Sequence, residues 1–251
     1  MAILRGKFSK TGEMKYISHL DIVRLFHRVL RRAGINMSYS QGFNPHPIIS
    51  FATALSLGVE SQGEYFDLKL DEEIPFREFK EKVNEHMPRG IKIVEGKYID
   101  SKQDSLMSMV EYSDYKIALD FSVEEMNERL VKEWIAGFLE QETIMITRKK
   151  KKKRRQRRQE YKEVDVKPLI KNFTVEKVEG RSVVFHTLLT TGSKGNLKPE
   201  DLIQLFEKYV QNQSASKELE QPLEIMSKRI KRNDLYHEVN GELKNLIDAV
   251  R

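Results

Sequence analysis

Apolar positions recur with two distinct periods along this chain. Residues 2–9 alternate, with Ile3, Leu4 and Phe8 apolar, which predicts a strand. Residues 20–33 switch to three- and four-residue spacing through Leu20, Val23, Phe26, Val29, Leu30 and Ala33, which predicts a helix. Ser18 is its predicted N-cap, Asp21 takes the capping-box position with Asp in place of Glu, and Gly34 ends it. Residues 48–57 and 64–70 then read as strands, Pro75 opens a second helix that Pro88 closes, and 91–99 is a strand again. This order, β-α-β-β-α-β, is the split βαβ order of ferredoxin-like domains.

The pattern returns less cleanly downstream. A strand is predicted at 113–121. A helix follows from a Ser122 cap to about Leu139, with Glu125 in the box position and Trp134 as core anchor. Short strands at 142–147 and 163–166 flank a charged run. A hairpin covers 171–178 and 181–189 about Glu179-Gly180, a helix 200–209, and a last strand 223–236. The fold class is therefore α+β: two tandem ferredoxin-like domains with antiparallel sheets and an inserted basic hairpin. The expected limits are 1–100 for the first domain, 101–112 for a linker and 113–237 for the second domain. Residues 148–160 are its basic insertion, and 238–251 is a C-terminal tail read as a short helix.

Charge changes this picture. The chain has 251 residues and a net charge of +6, but 148–158 reads RKKKKKRRQRR. Its ten cations are Arg148, Lys149, Lys150, Lys151, Lys152, Lys153, Arg154, Arg155, Arg157 and Arg158, and the rest of the chain carries about −4. Such an arm is either a solvated loop or a salt-dependent contact to RNA phosphates. It lacks the apolar anchors of a membrane-surface segment. There is no cysteine, hence no disulfide, zinc–cysteine or iron–sulfur site, and no apolar run of membrane-spanning length. The expected compartment is the cytoplasm, with no cofactor and no metal.

Candidate chemistry clusters early. Arg24, Arg28, Arg31 and Arg32 share one face of the first helix, either a solvated face or a phosphate-tracking stripe. His19 and His27 lie about 80° apart around that helix, with Tyr16 just before it. They are the candidates for acid–base chemistry, against roles as a capping and a surface histidine. His46 stands between two prolines. With Gln41, Gly42, Phe43 and Asn44 it makes either a rigid recognition turn or a self-bonded connection. Metal binding by His19, His27 and His46 lacks regular ligand spacing. The 190–196 loop TTGSKGN, with Lys194, precedes a helix and suits a phosphate without matching a nucleotide-hydrolysis motif.

The runs YISHLDIVRLFHRVLRRAG, YSQGFNPHPIISFATALSLGVES and EYFDLKL resemble an uncharacterised bacterial family associated with radical SAM proteins. The match is strong over 3–70 and weaker through Asp165-Val-Lys-Pro-Leu169 to the 192–199 loop. The resemblance implies a radical SAM enzyme as partner on a separate chain, because this chain has no cysteine to hold the cluster. It implies no reaction. The domain order is also similar, at the level of fold, to RNA-binding CRISPR repeat-processing proteins, some of which cleave RNA without metal through a histidine near the first helix. The expectation is a non-catalytic RNA-binding or accessory protein. The alternatives are a metal-independent endoribonuclease using His19, His27 or Tyr16, and a protein-interaction subunit without RNA contact.

Overall fold

The computed structural model describes residues 2–149, 160–216 and 223–250. It is a mixed α+β fold whose strands pair mostly antiparallel. The chain divides into two compact units. The first comprises Met1–Asp114, Gly192–Lys194 and Ile230–Arg251, and the second Tyr115–Thr191 and Gly195–Arg229.

The first unit opens with β1 (Ala2–Lys10), α1 (His19–Arg32), β2 (Ile49–Phe51), β3 (Glu60–Leu70), α2 (Phe76–His86) and β4 (Ile91–Ile99). β1 lies between β4 and β3, antiparallel to both, and β2 pairs with residues 66–68 of β3. Two-residue alternation puts Leu4, Gly6 and Phe8 of β1 and Glu64, Phe66 and Leu68 of β3 toward the helices. There Phe8, Phe26, Phe51 and Phe66 form an aromatic cluster with ring centroids 5.0–6.4 Å apart. Gly6 is required beneath it, since a Cβ would stand 2.2 Å from the Phe66 ring.

Residues 101–112, read as a linker, do not run free. Leu106 and Met109 of α3 (Leu106–Met109) are buried with Val110, Tyr65, Leu235 and Leu246 in a second core cluster. The expected C-terminal helix is instead a hairpin. The final strands of the chain are β10 (Ile225–Val239) and β11 (Glu242–Asn245), which pair antiparallel, and Asn240 and Gly241 turn between them at φ 53° and 83°. Two successive positive φ values match the Asn-Gly hairpin turn, and the buried Leu246 and Ile247 then hold the end of the chain. The strand expected over 48–57 shrinks to β2, because after Phe51 the backbone leaves the ladder.

The second unit is built from β5 (Tyr112–Phe121), α4 (Glu128–Glu140), the hairpin β6 (Met145–Lys149)–β7 (Tyr161–Asp165), β8 (Ile170–Glu179), β9 (Ser182–Thr190) and α5 (Pro199–Ser216). Its main strand order is β10-β5-β9-β8, and β6–β7 forms a separate two-stranded ladder. α4 begins five residues later than the Ser122 cap predicts. Asn127 Oδ1 accepts from the amides of Arg129 and Leu130, whereas Ser122 Oγ accepts from the amide of Glu224. Phe138, Phe173, Phe185 and Phe206 make the core, at centroid distances of 5.2–6.3 Å.

Candidate functional site

The motif-rich opening of the chain closes around a small pocket of about 20 Å³, room for about one water. β1 ends with Lys10 on the helix-covered face. Ser18 Oγ accepts from the Asp21 amide at 3.2 Å and donates to the Asp21 carboxylate at 2.7 Å. This cap is reciprocal through the hydroxyl and fixes His19 as the first residue of α1. The His19 ring stands edge-on to Phe51 at 5.6 Å. Phe8, Ile22, Thr53, Leu55 and Glu64 complete the walls.

The polar end of the pocket is deeply buried. Lys10 is 3 %, Glu64 4 % and Arg232 3 % exposed. Arg232 Nη1 donates to both Glu64 oxygens, at 2.9 and 3.2 Å. Lys10 Nζ donates to the Ile17 carbonyl at 2.8 Å. Burial pulls the Lys10 pKa below its ordinary value; Glu64 opposes that shift and Arg232 adds to it. Sequence reasoning found His19 here and missed Lys10, Glu64, Thr53 and Arg232. Arg232 is 168 residues from its partner, beyond the reach of any local pattern.

The other candidates lie outside this pocket. Tyr16 is exposed, with the Lys15 ammonium 5.2 Å from its ring centre. His27 is not with His19. Its pKa is pulled down by burial first, then by the neighbouring charges of His46 and Arg31, and its buried Nε2 has no hydrogen-bond partner among the described residues. His46 therefore sets the 40–47 turn beside the middle of α1. The turn is also bonded to itself: His46 Nδ1 is 2.9 Å from Ser40 Oγ, the His46 amide donates to Ser40 Oγ, and the Ser40 amide donates to the His46 carbonyl. On this frame Gln41, Gly42, Phe43, Asn44 and His46 are exposed, and the Phe43 ring is entirely bare. The turn thus bonds internally and presents its side chains to solvent.

Arg24, Arg28, Arg31 and Arg32 are all exposed. Arg24 pairs with Asp21 at 3.3 Å and Arg32 donates to the His86 carbonyl, while Arg28 and Arg31 make no hydrogen bond or ion pair among the described residues. Of the basic run, Arg148 donates to the Asn196 carbonyl at 2.6 Å and stands 3.7 Å from Asp201, and Lys149 is exposed opposite Tyr161. Residues 150–158 lie outside the described residues. Lys194 is ion-paired to the buried Glu111, so its charge faces a carboxylate rather than an open loop. Burial alone would raise the Glu111 pKa. Hydrogen bonds from Lys194 and the Glu238 amide, with His237 nearby, outweigh it and hold the carboxyl below its ordinary value.

Residues 4–199 match the family described as an uncharacterized protein conserved in bacteria, DUF2344. The chain belongs to this family. All eight pocket-lining residues and the 40–47 turn fall within the DUF2344 segment, whereas Arg232 and β11 lie beyond it. No curated protein matches this DUF2344 chain. Among solved structures it is similar to a Cbf5-Nop10-Gar1 complex, at TM-score 0.44 and 10% identity over 91% of this chain and 48% of that one. It is similar to an archaeal box H/ACA sRNP Nop10-Cbf5 complex at 0.42 and 10%, over 90% and 46%. An unknown protein from Galdieria sulphuraria matches at 0.25 and 8%, over 92% and 97%. The DUF2344 chain spans less than half the length of the first two. No group of three or more His, Asp or Glu suited to a metal ion occurs among the described residues, and no helix among them is long and apolar enough to cross a membrane.

Proposed function

We propose that this DUF2344 protein is a non-catalytic RNA-binding subunit that reads unpaired bases at the 40–47 turn. The observation that carries the proposal is Phe43. A bare aromatic ring on an internally bonded turn loses little entropy when a base stacks on it, and every base offers a face to stack. The turn stands beside α1, whose Arg28 and Arg31 are free to meet phosphates, and Asn44 and His46 offer polar groups to a base edge. In the second unit the β6–β7 hairpin carries the basic run and supplies further phosphate contacts. The orders β4-β1-β3-β2 and β10-β5-β9-β8 support reading each unit as a ferredoxin-like split βαβ, with residues 148–160 inserted into the second. The radical SAM partner implied by the sequence resemblance belongs to this reading: the RNA would be presented to an enzyme on a separate chain. The separation of His19 from His27 favours binding over histidine-driven RNA cleavage.

The test is Phe43→Ala in the full chain. Losing one stacked base costs about 1–3 kcal/mol, or roughly 5- to 150-fold in Kd for single-stranded RNA. Thermal stability should stay within about 0.5 kcal/mol, as for other exposed positions. Arg28→Gln with Arg31→Gln should flatten the salt dependence of log K by about 0.7 per phosphate lost. Unchanged affinity in Phe43→Ala and an unchanged salt slope in the double variant would reject the reading.

A further inference from the structure

The C-terminal hairpin borders a second cavity, much larger than the one under His19. It measures about 440 Å³, within the range of small-ligand sites, and every residue lining it belongs to the first unit. On β10 and β11, His237 stands directly opposite Lys244, so both side chains share one face of the ladder. His237 Nδ1 lies 3.1 Å from the buried Glu111 carboxylate, which holds the ring in place. The rim also carries Asp104, just before α3, and Asp248, just after β11. Fully buried Arg5 ties these two segments together, donating to the Asp104 carbonyl at 3.3 Å and the Leu246 carbonyl at 3.2 Å. Met109, Val239 and Val250 supply an apolar lining.

The protein leaves these charges largely unspent. Among the described residues the Asp104 carboxylate has no hydrogen bond or ion pair, and Asp248 accepts only on Oδ2, from the Asn245 side-chain amide at 2.7 Å. The Lys244 ammonium meets only the Glu242 carboxylate, 4.0 Å away. Asp104, Asp248 and His237 do not converge as ligands of one metal ion. With the histidine counted neutral, two carboxylates face one ammonium, so a ligand with two cationic groups and one carboxylate completes the set. The apolar lining suits a methylene stem joining them. We propose that this cavity binds a free cationic amino acid, with its carboxylate on Lys244, its two cationic groups on Asp104 and Asp248, and its methylenes against Met109 and Val250. The inference is independent of the RNA-binding turn.

Calorimetric titration of the full chain with L-lysine, L-norleucine and cadaverine tests this. Norleucine keeps the stem and loses the second cation; cadaverine keeps both cations and loses the carboxylate. Lysine should bind saturably, and each of the other two at least about five-fold more weakly, as expected for the loss of one partly exposed ion pair. Lys244→Met should erase the preference for lysine over cadaverine, and Asp104→Asn with Asp248→Asn the preference for lysine over norleucine. All three positions are at least partly exposed, so both variants should keep the wild-type melting temperature. No saturable lysine binding up to about 50 mM would overturn the proposal. So would norleucine or cadaverine binding as tightly as lysine, or either preference surviving its variant.

Discussion

Arg232→Met isolates the electrostatic keystone of the pocket. Arg232 and Glu64 are each at most 4 % exposed, and a single Arg232 nitrogen reaches both carboxylate oxygens within 3.2 Å. Methionine keeps much of the apolar stem, so the change removes charge rather than packing. Removing one partner of a buried pair costs about 3–5 kcal/mol, because the remaining charge stays out of water. Lys10 moderates that here: its ammonium already interacts with Glu64 and would lose the repulsion of Arg232. The expected cost is therefore about 3 kcal/mol, at the low end of that range. Adding Glu64→Gln should recover about 1–2 kcal/mol, since the double variant buries no uncompensated carboxylate. Urea unfolding of the wild type, both single variants and the double variant at neutral pH completes the cycle. A cost below about 1 kcal/mol for Arg232→Met, with no coupling to Glu64→Gln, would refute the reasoning.

Two further expectations concern packing and pH. Gly63→Ala places a Cβ 2.7 Å from the Asp234 Cα and 2.8 Å from the Asn233 carbonyl oxygen, both backbone atoms, and should cost about 1–3 kcal/mol in urea unfolding. Hydrogen bonds from Ser227, Arg229 and Ser182 hold the Asp120 carboxyl down to about 2 from an ordinary 3.8. Its folded-state pKa is the lower one, so its contribution is complete above about pH 4 and is lost as pH falls toward 2. Partial exposure limits that contribution to about 1–2 kcal/mol, and Asp120→Asn should flatten acid unfolding across that window.

What was legible in the sequence was local. The Ser18 cap, the Gly34 stop (φ 65°) and the span of β4 follow from residues a few positions apart. The final hairpin was equally local: Asn240-Gly241 is a strong turn signal, obscured because charged residues around it make a weak strand pattern. The α4 start was misplaced because Ser122 and Asn127 both satisfy the cap pattern, and only the tertiary bond to Glu224 decides between them. The polar end of the pocket is a different matter. Lys10 sits at a strand end, where a charge ordinarily meets water, and Arg232 joins Glu64 from 168 residues away.

Glu64 nevertheless carried a readable trace. It falls in the same two-residue register as Phe66, Leu68 and Leu70, all buried, so alternation alone places its carboxylate on the apolar face. A charge on that face is expensive unless something distant pairs with it. An ionisable residue in core register therefore marks a place where the fold must bring in a remote partner. In this chain that rule leads from Glu64 to Arg232, and through their mutual neutralisation to the unmatched ammonium of Lys10.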